Sequence, residues 1–196
     1  AVFDFKSPHD PLKARKAWFF FAREYVCLGS SIQSEAKYPV VTTLNQCLLN
    51  GKVSINRNDQ ILGLKKGEHV LGQVDWVHHN GIAWLFTDPT RVNLKNKENT
   101  GSWYEINKQH RSHRSNVYKE VFTLWLDHGI RPKKEKYEYI VVPALKVSEI
   151  NDYKNNSGID ILRNTHHIQA VRNHRLNVTQ VVFYEAGNID ISDEMT

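Results

Sequence analysis

The sequence predicts an all-β fold, a large sandwich of antiparallel sheets with at most one short helix. Three observations carry this. Short apolar or alternating runs recur along the whole chain, separated by turn residues. Asn50-Gly51 and Asn80-Gly81 stand at the ends of such runs, and Asn-Gly supplies the positive φ of a tight turn. Only Ser148 to Lys154 reads as helix, barely two turns long. Many short strands with almost no helix make a sandwich.

Ala1 to Pro11 gives a strand fragment anchored by Val2, Phe3 and Phe5, then a turn. Trp18 to Phe21 is an aromatic run too short for an ordinary helix, and Tyr25 to Leu28 resumes it after Ala22-Arg23-Glu24. The pair reads as a hairpin of strands apolar on both faces, which need cover from another sheet. Val40 to Leu49 adds a third, β-branched strand. Lys52 to Ile61 is polar and ambiguous, and Gly63 to Gly72 reads as a link.

Val74 to His79 and Ile82 to Phe86 alternate about Asn80-Gly81, the clearest hairpin in the sequence, which Pro89 is expected to close. Arg91 to Lys97 alternates again, with one wet face. Asn99 to Ser115 is the longest polar segment, with Trp103 and Ile106 expected to pin it. Strands follow at Val121 to Asp127 and, after a basic turn, at Tyr137 to Val142. Ser148 is the expected helix cap. Ile159 to Leu162, His167 to Val171, Val178 to Tyr184 and Ile189 to Ile191 complete the strands. The expected core holds Trp18, Phe20, Val26, Leu28, Trp84, Phe122, Leu124, Ile140, Val142 and Val182.

Length and composition suit one domain spanning residues 1–196. No apolar run approaches the length that spans a bilayer, so a membrane protein is not expected. The opening Ala-Val-Phe-Asp-Phe-Lys6 lacks the zones of a signal peptide, which a secreted parent would carry upstream. The net charge is +5, and Arg91 to Lys146 holds 12 Lys or Arg against 6 Asp or Glu. Such a field draws polyanions of any kind, or is simply a solvated face. Nucleic acid is not the expected partner, because the aromatics sit in apolar strand patterns rather than among Lys and Arg.

Cys27 and Cys47, the only cysteines, lie in apolar runs and read as free, buried thiols. No phosphate loop, nucleophile elbow or Cys-His motif appears. His110 and His113 sit three apart in the basic Lys108 to Arg114 segment, which disfavours a cation. His78-His79 and His166-His167 are adjacent in expected strands, one ring inward and one wet, and poor chelates. No metal or cofactor is therefore expected. The candidate contacts for a saccharide are Trp103, Tyr104, His110, Arg111, His113 and Arg114, since aromatics stack on sugar rings and guanidiniums fork to carboxylate or sulfate.

Six segments carry a resemblance. Lys16-Ala-Trp-Phe-Phe-Phe21, Val26-Cys-Leu-Gly29, Thr42-Thr-Leu-Asn-Gln46, Gly101-Ser-Trp103, Val121 to Gly129 and Tyr137 to Pro143 stand in one order and spacing. Together they resemble the central β domain of polysaccharide lyase family eight, the chondroitin AC, hyaluronate and xanthan lyases, with the chondroitin AC lyases nearest. The resemblance implies a multi-sheet super-sandwich and a parent that cleaves an acidic, uronate-bearing polysaccharide by β-elimination. It implies secretion or a periplasmic location. It also implies an N-terminal helical toroid as partner domain, bearing the catalytic Asn, His, Tyr and Arg, with a Glu from a β-domain segment before the part matched. No residue of this chain aligns with these, so no catalytic residue is assigned. The competing reading is a stand-alone carbohydrate-binding or structural module.

Overall fold

The computed structural model describes residues 1–190. Its thirteen strands are β1 (Val2–Lys6), β2 (Lys13–Phe20), β3 (Tyr25–Gln33), β4 (Pro39–Leu48), β5 (Val53–Arg57), β6 (Gln60–Gly63), β7 (Gly67–His79), β8 (Ile82–Gly101), β9 (Val117–Ile130), β10 (Glu135–Pro143), β11 (Ile159–Asn164), β12 (Ile168–Asn173) and β13 (Val178–Phe183). Two short helices, α1 (Trp103–Ile106) and α2 (Ile150–Asn156), join them. Strand takes 61% of the chain and helix 7%, which settles an all-β, antiparallel class. The residues pack as two compact units. The first holds Ala1–Tyr38, Ile130–Val141 and the chain from Asn151, the second Pro39–Gly129 and Val142–Ile150.

In the first unit β1, β2, β3 and β10 pair in that order, and β11, β12 and β13 form a second sheet. The expected opening hairpin is present, with Phe20 opposite Tyr25. Of its two strands only β3 is buried on both faces, from Val26 through Ser30. In β2 the buried side chains are Ala14, Ala17 and Phe19. Phe20 is 58% exposed and stacks on Tyr25, and Trp18 is half-buried, so the expected phase of β2 is corrected. Four consecutive aromatics do not reveal which parity faces inward. Val182, also expected in the core, is half-buried on the edge strand β13.

β3 carries one residue more than either neighbour. Against β2 the partners pass from Arg15↔Ser30 to Lys13↔Gln33, and against β10 from Tyr137↔Gly29 to Glu135↔Ile32. The surplus residue is Ser31, at φ 53°, in the left-handed region that a non-glycine residue seldom occupies.

In the second unit β4, β9, β8, β7, β5 and β6 pair in that order. Asn80 and Gly81 turn β7 into β8 with φ of 49° and 77° and His79 opposite Ile82, as the sequence predicts. Pro89 does not end the strand. The partners jump from Trp76↔Leu85 to Val74↔Thr90, so 86–89 bulge out and β8 continues; proline has no N–H for the ladder. The ambiguous Lys52–Ile61 stretch folds as the β5–β6 hairpin, with Asn58 and Asp59 at φ 50° and 59°. The expected link 63–72 already contains the start of β7 at Gly67.

The core of this unit includes Trp76, Trp84, Phe86, Phe122 and Leu124, each at most 2% exposed. Helix α2 stands close to where it was expected, but Ser148 is not its cap. That residue lies in a 3-10 turn, Val147–Glu149, where Glu149 Oε2 accepts from the Lys146 N–H at 3.1 Å. Ile189 and Asp190 lie in no strand, and the last residue of that expected strand falls outside the described residues.

Candidate functional site

The polar segment between β8 and β9 hangs from a closed pair of strand ends, Gly101 opposite Val117. Its first turn is α1. Glu105 Oε2 accepts from the Ser102 N–H at 3.3 Å, and Asn107 N–H donates to the Trp103 carbonyl at 2.9 Å. The far end folds back on this turn: Tyr104 N–H donates to the His113 carbonyl at 3.1 Å, and the Arg114 guanidinium lies over the Tyr104 ring at 4.5 Å. A cation over a ring face is an attractive pairing that leaves the charge in place.

Of the six sequence candidates the structure thus brings together Tyr104, His113 and Arg114. His110 and Arg111 are exposed at the tip. Trp103 is 61% exposed and Ile106 80%, so neither pins the segment as expected. Backbone and cap hydrogen bonds do so instead. Trp103 and Ile106 flank a hollow of about 240 Å³ with Asn99, Glu105 and Val117 on its walls. An open indole beside a hollow, with the Arg114 guanidinium held over the ring of the next residue, Tyr104, suits a sugar ring bearing an acidic group.

Elsewhere the structure makes arrangements that sequence spacing does not signal. His79 is buried and stacks on Phe122 at 4.4 Å, its Nε2 accepts from the Asn50 N–H at 3.1 Å, and Nδ1 lies 3.8 Å from Cys47 Sγ. Its partner His78 is half-buried and bonds the Leu145 carbonyl at 2.9 Å, close to the inward and wet pair expected. His166 and His167 depart from that expectation. Both are exposed in the β11–β12 connection, with rings 3.5 Å apart.

Arg15 was not singled out by the sequence. It donates to the His166 carbonyl, pairs with Glu185 at 3.3 Å and Asp4 at 3.4 Å, and covers the Tyr184 ring at 4.9 Å. Its hydrogen bond, followed by that of His167, holds the Glu185 carboxyl below its ordinary range. Burial pushes the Tyr137 and Tyr139 phenols far up, so these groups are packing elements and not bases.

The family model for the polysaccharide lyase family 8 super-sandwich domain matches residues 1–154, and that for the C-terminal beta-sandwich domain matches residues 160–195. The chain belongs to polysaccharide lyase family 8. It is 38% identical to the chondroitinase-AC of Pedobacter heparinus across 94% of this chain and 26% of that protein. The xanthan lyase of Bacillus sp. strain GL1 is 30% identical, covering 88% of this chain and 20% of that protein. Among solved structures, a chondroitinase AC lyase studied with oligosaccharides superposes with a TM-score of 0.87 at 35% identity, over 97% of this chain and 28% of that one. A Paenibacillus xanthan lyase superposes with a TM-score of 0.85 at 26% identity, over 93% and 19%.

The chain therefore spans between about a fifth and a little over a quarter of the length of these relatives. It is a family 8 β-sheet portion, with the super-sandwich expected from its motifs. No helix among the described residues is long and apolar enough to cross a membrane.

Proposed function

We propose that this chain is the β-sheet portion of a secreted or periplasmic lyase that cleaves a uronate-bearing polysaccharide of the chondroitin or hyaluronan kind by β-elimination. The observation that carries the reading is the match of the family 8 models along nearly the whole chain, beside relatives named for chondroitin, hyaluronan and xanthan cleavage. Removing the C5 proton of a uronate requires a neutraliser for the carboxylate and a base beside C5. An N-terminal helical toroid outside this chain supplies both. The part of this chain is to support the fold and one wall of the cleft, where Trp103 and Tyr104 meet sugar rings and His110, Arg111, His113 and Arg114 meet acidic groups.

The test compares the 196-residue chain with the whole gene product, following the ultraviolet absorbance of the unsaturated uronate. The whole protein is expected to form product from chondroitin or hyaluronan, and the chain alone none, since attraction without a positioned base gives no transition-state selectivity. In the whole enzyme Trp103→Ala is expected to raise KM about tenfold with kcat nearly unchanged, the signature of lost uniform binding. Robust product from the chain alone, or an inactive whole protein, overturns the reading.

A further inference from the structure

The surplus residue of β3 opens a groove on the first unit. Two hollows of about 260 Å³ each share Ser31, Gln33 and His166, and a third of about 180 Å³ shares Gln33 and Lys13. Gln33 thus borders all three, which are taken together as one groove beside the bulge. Lys6 and Lys13 line the first of these hollows, Lys134 and Lys136 the second. A strained residue held in a sheet interior, where a bulge re-aims its neighbours, marks a site the fold maintains at a cost.

The charges in the groove are not cancelled. Asp4 and Glu185 are both held by Arg15, and Lys136 reaches Glu138 only at 3.8 Å. Lys6, Lys13 and Lys134 have no ion-pair partner among the described residues. The Ser31 hydroxyl and Gln33 amide likewise make no hydrogen bond there, so both are free for a ligand. Glu35, at the far end, is the remaining carboxylate. Phe5 is the one carbocyclic aromatic among the lining residues, so successive bases would find no stacking platform. Spaced ammonium groups with free hydroxyl and amide donors between them match a chain of alternating acidic and neutral sugars.

We infer that this groove is a second saccharide-binding site, which holds an acidic oligosaccharide through Lys13, Lys134 and Lys136 with Ser31 and Gln33 on its hydroxyls. The site is built in the first unit, whereas the Trp103 hollow lies in the second. It rests on the reading that the parent acts on acidic polysaccharides. Its use is to retain the polymer on the enzyme between cleavage events.

The experiment measures fluorescence anisotropy of labelled hexasaccharides of hyaluronan, which carries carboxylate alone, and of chondroitin sulfate, at low and physiological salt. It uses the chain with Trp103→Ala, Arg111→Ala and Arg114→Ala, so that remaining binding reports the groove. Adding Lys13→Met, Lys134→Met and Lys136→Met is expected to weaken both ligands at least tenfold. Gln33→Ala, with no change of charge, is expected to weaken them about threefold. Lys37→Met, Lys52→Met and Lys65→Met form an equal change of charge at residues that do not line the groove and are expected to cost less than threefold. Unaltered thermal midpoints confirm folding in each case.

Equal losses from the two lysine triples overturn the site, as does duplex DNA that binds as tightly and responds alike. Glycan binding that depends on the Trp103 segment and ignores the groove variants overturns this inference alone. A chain that binds neither glycan overturns both it and the substrate reading beneath it.

Discussion

The Tyr137 ring lies on the bare Cα of Gly29. The two residues are cross-strand partners in β3 and β10, and a Cβ built on Gly29 would stand 2.2 Å from Tyr137 Cε1 and 2.4 Å from Cζ. Gly29 is here for space and not for backbone freedom, since its φ lies outside the left-handed region. The Tyr137 ring in turn is 6% exposed and packs against Tyr139 at 5.6 Å, so it has little room to retreat.

Gly29→Ala is therefore expected to destabilise the chain by about 2–3 kcal/mol, the upper range for overpacking an interior. Gly63→Ala, whose Cβ would meet nothing within 4 Å, is the control and should change stability little. Urea midpoints measure both. Equal midpoints for the two variants would show that the ring yields freely.

Behind this contact runs a polar network within the first unit. Asn164 Nδ2 reaches the Gly29 carbonyl at 3.3 Å and the Tyr137 carbonyl at 3.2 Å, while its Oδ1 accepts from Gln169 Nε2 at 2.8 Å. Gln169 is wholly buried and its Oε1 accepts from the Tyr184 hydroxyl at 2.7 Å. Asn164→Leu leaves the Gln169 Nε2 only its long 3.5 Å contact with Ser30 Oγ and is expected to cost about 1–3 kcal/mol. Adding Gln169→Leu should cost less than the two single changes together, because no buried amide is then left without its partner. Additive losses in a double-mutant cycle would refute the coupling.

The two cysteines should differ in reactivity. Both are free thiols; Cys27 is buried and Cys47 half-buried. Burial pushes the Cys27 thiol up to about 12, far from the thiolate needed for attack. One thiol, Cys47, is expected to alkylate in the native chain, and Cys27 only at the rate of unfolding. Mass mapping after a short pulse of reagent checks the order. Titration in denaturant should find both thiols before reduction and no more after it.

Stability should fall on mild acidification through His78 and His79. Burial is the main cause that holds both rings below the ordinary value of 6.5. In the unfolded chain they titrate near 6.5, so between that pH and the lower folded value the unfolded state binds more protons. Their contribution is thus level above that window and is lost as pH drops through it. Denaturation midpoints from pH 7.5 to 5 should show a shallower fall for His79→Gln than for the parent chain, at about 1.4 kcal/mol per unit of pKa shift relieved. Parallel curves would remove His79 from the account.

Sequence alone settled the class, the family and most strands, because these depend on local pattern. Alternation about Asn80-Gly81 needs nothing beyond its own residues to specify a hairpin, and Val26, Leu28, Trp84, Phe122 and Leu124 reach the core as their runs imply. The order of six motifs carried the family in the same way.

Tertiary structure decided what depends on partners distant in the chain. Whether Trp18 or Phe19 points inward turns on which face of β2 is covered, and the aromatic run carries no phase. Trp103 and Ile106 look like anchors by hydrophobicity, yet the segment is held by backbone hydrogen bonds and by the Glu105 carboxylate that caps its first turn. The bulge at Ser31 exists because β2 and β10 both grip β3 on either side of one unmatched residue, and Arg15 meets Glu185 across 170 positions. Sequence spacing encodes neither, since register and long-range pairing are set by the packing of whole sheets.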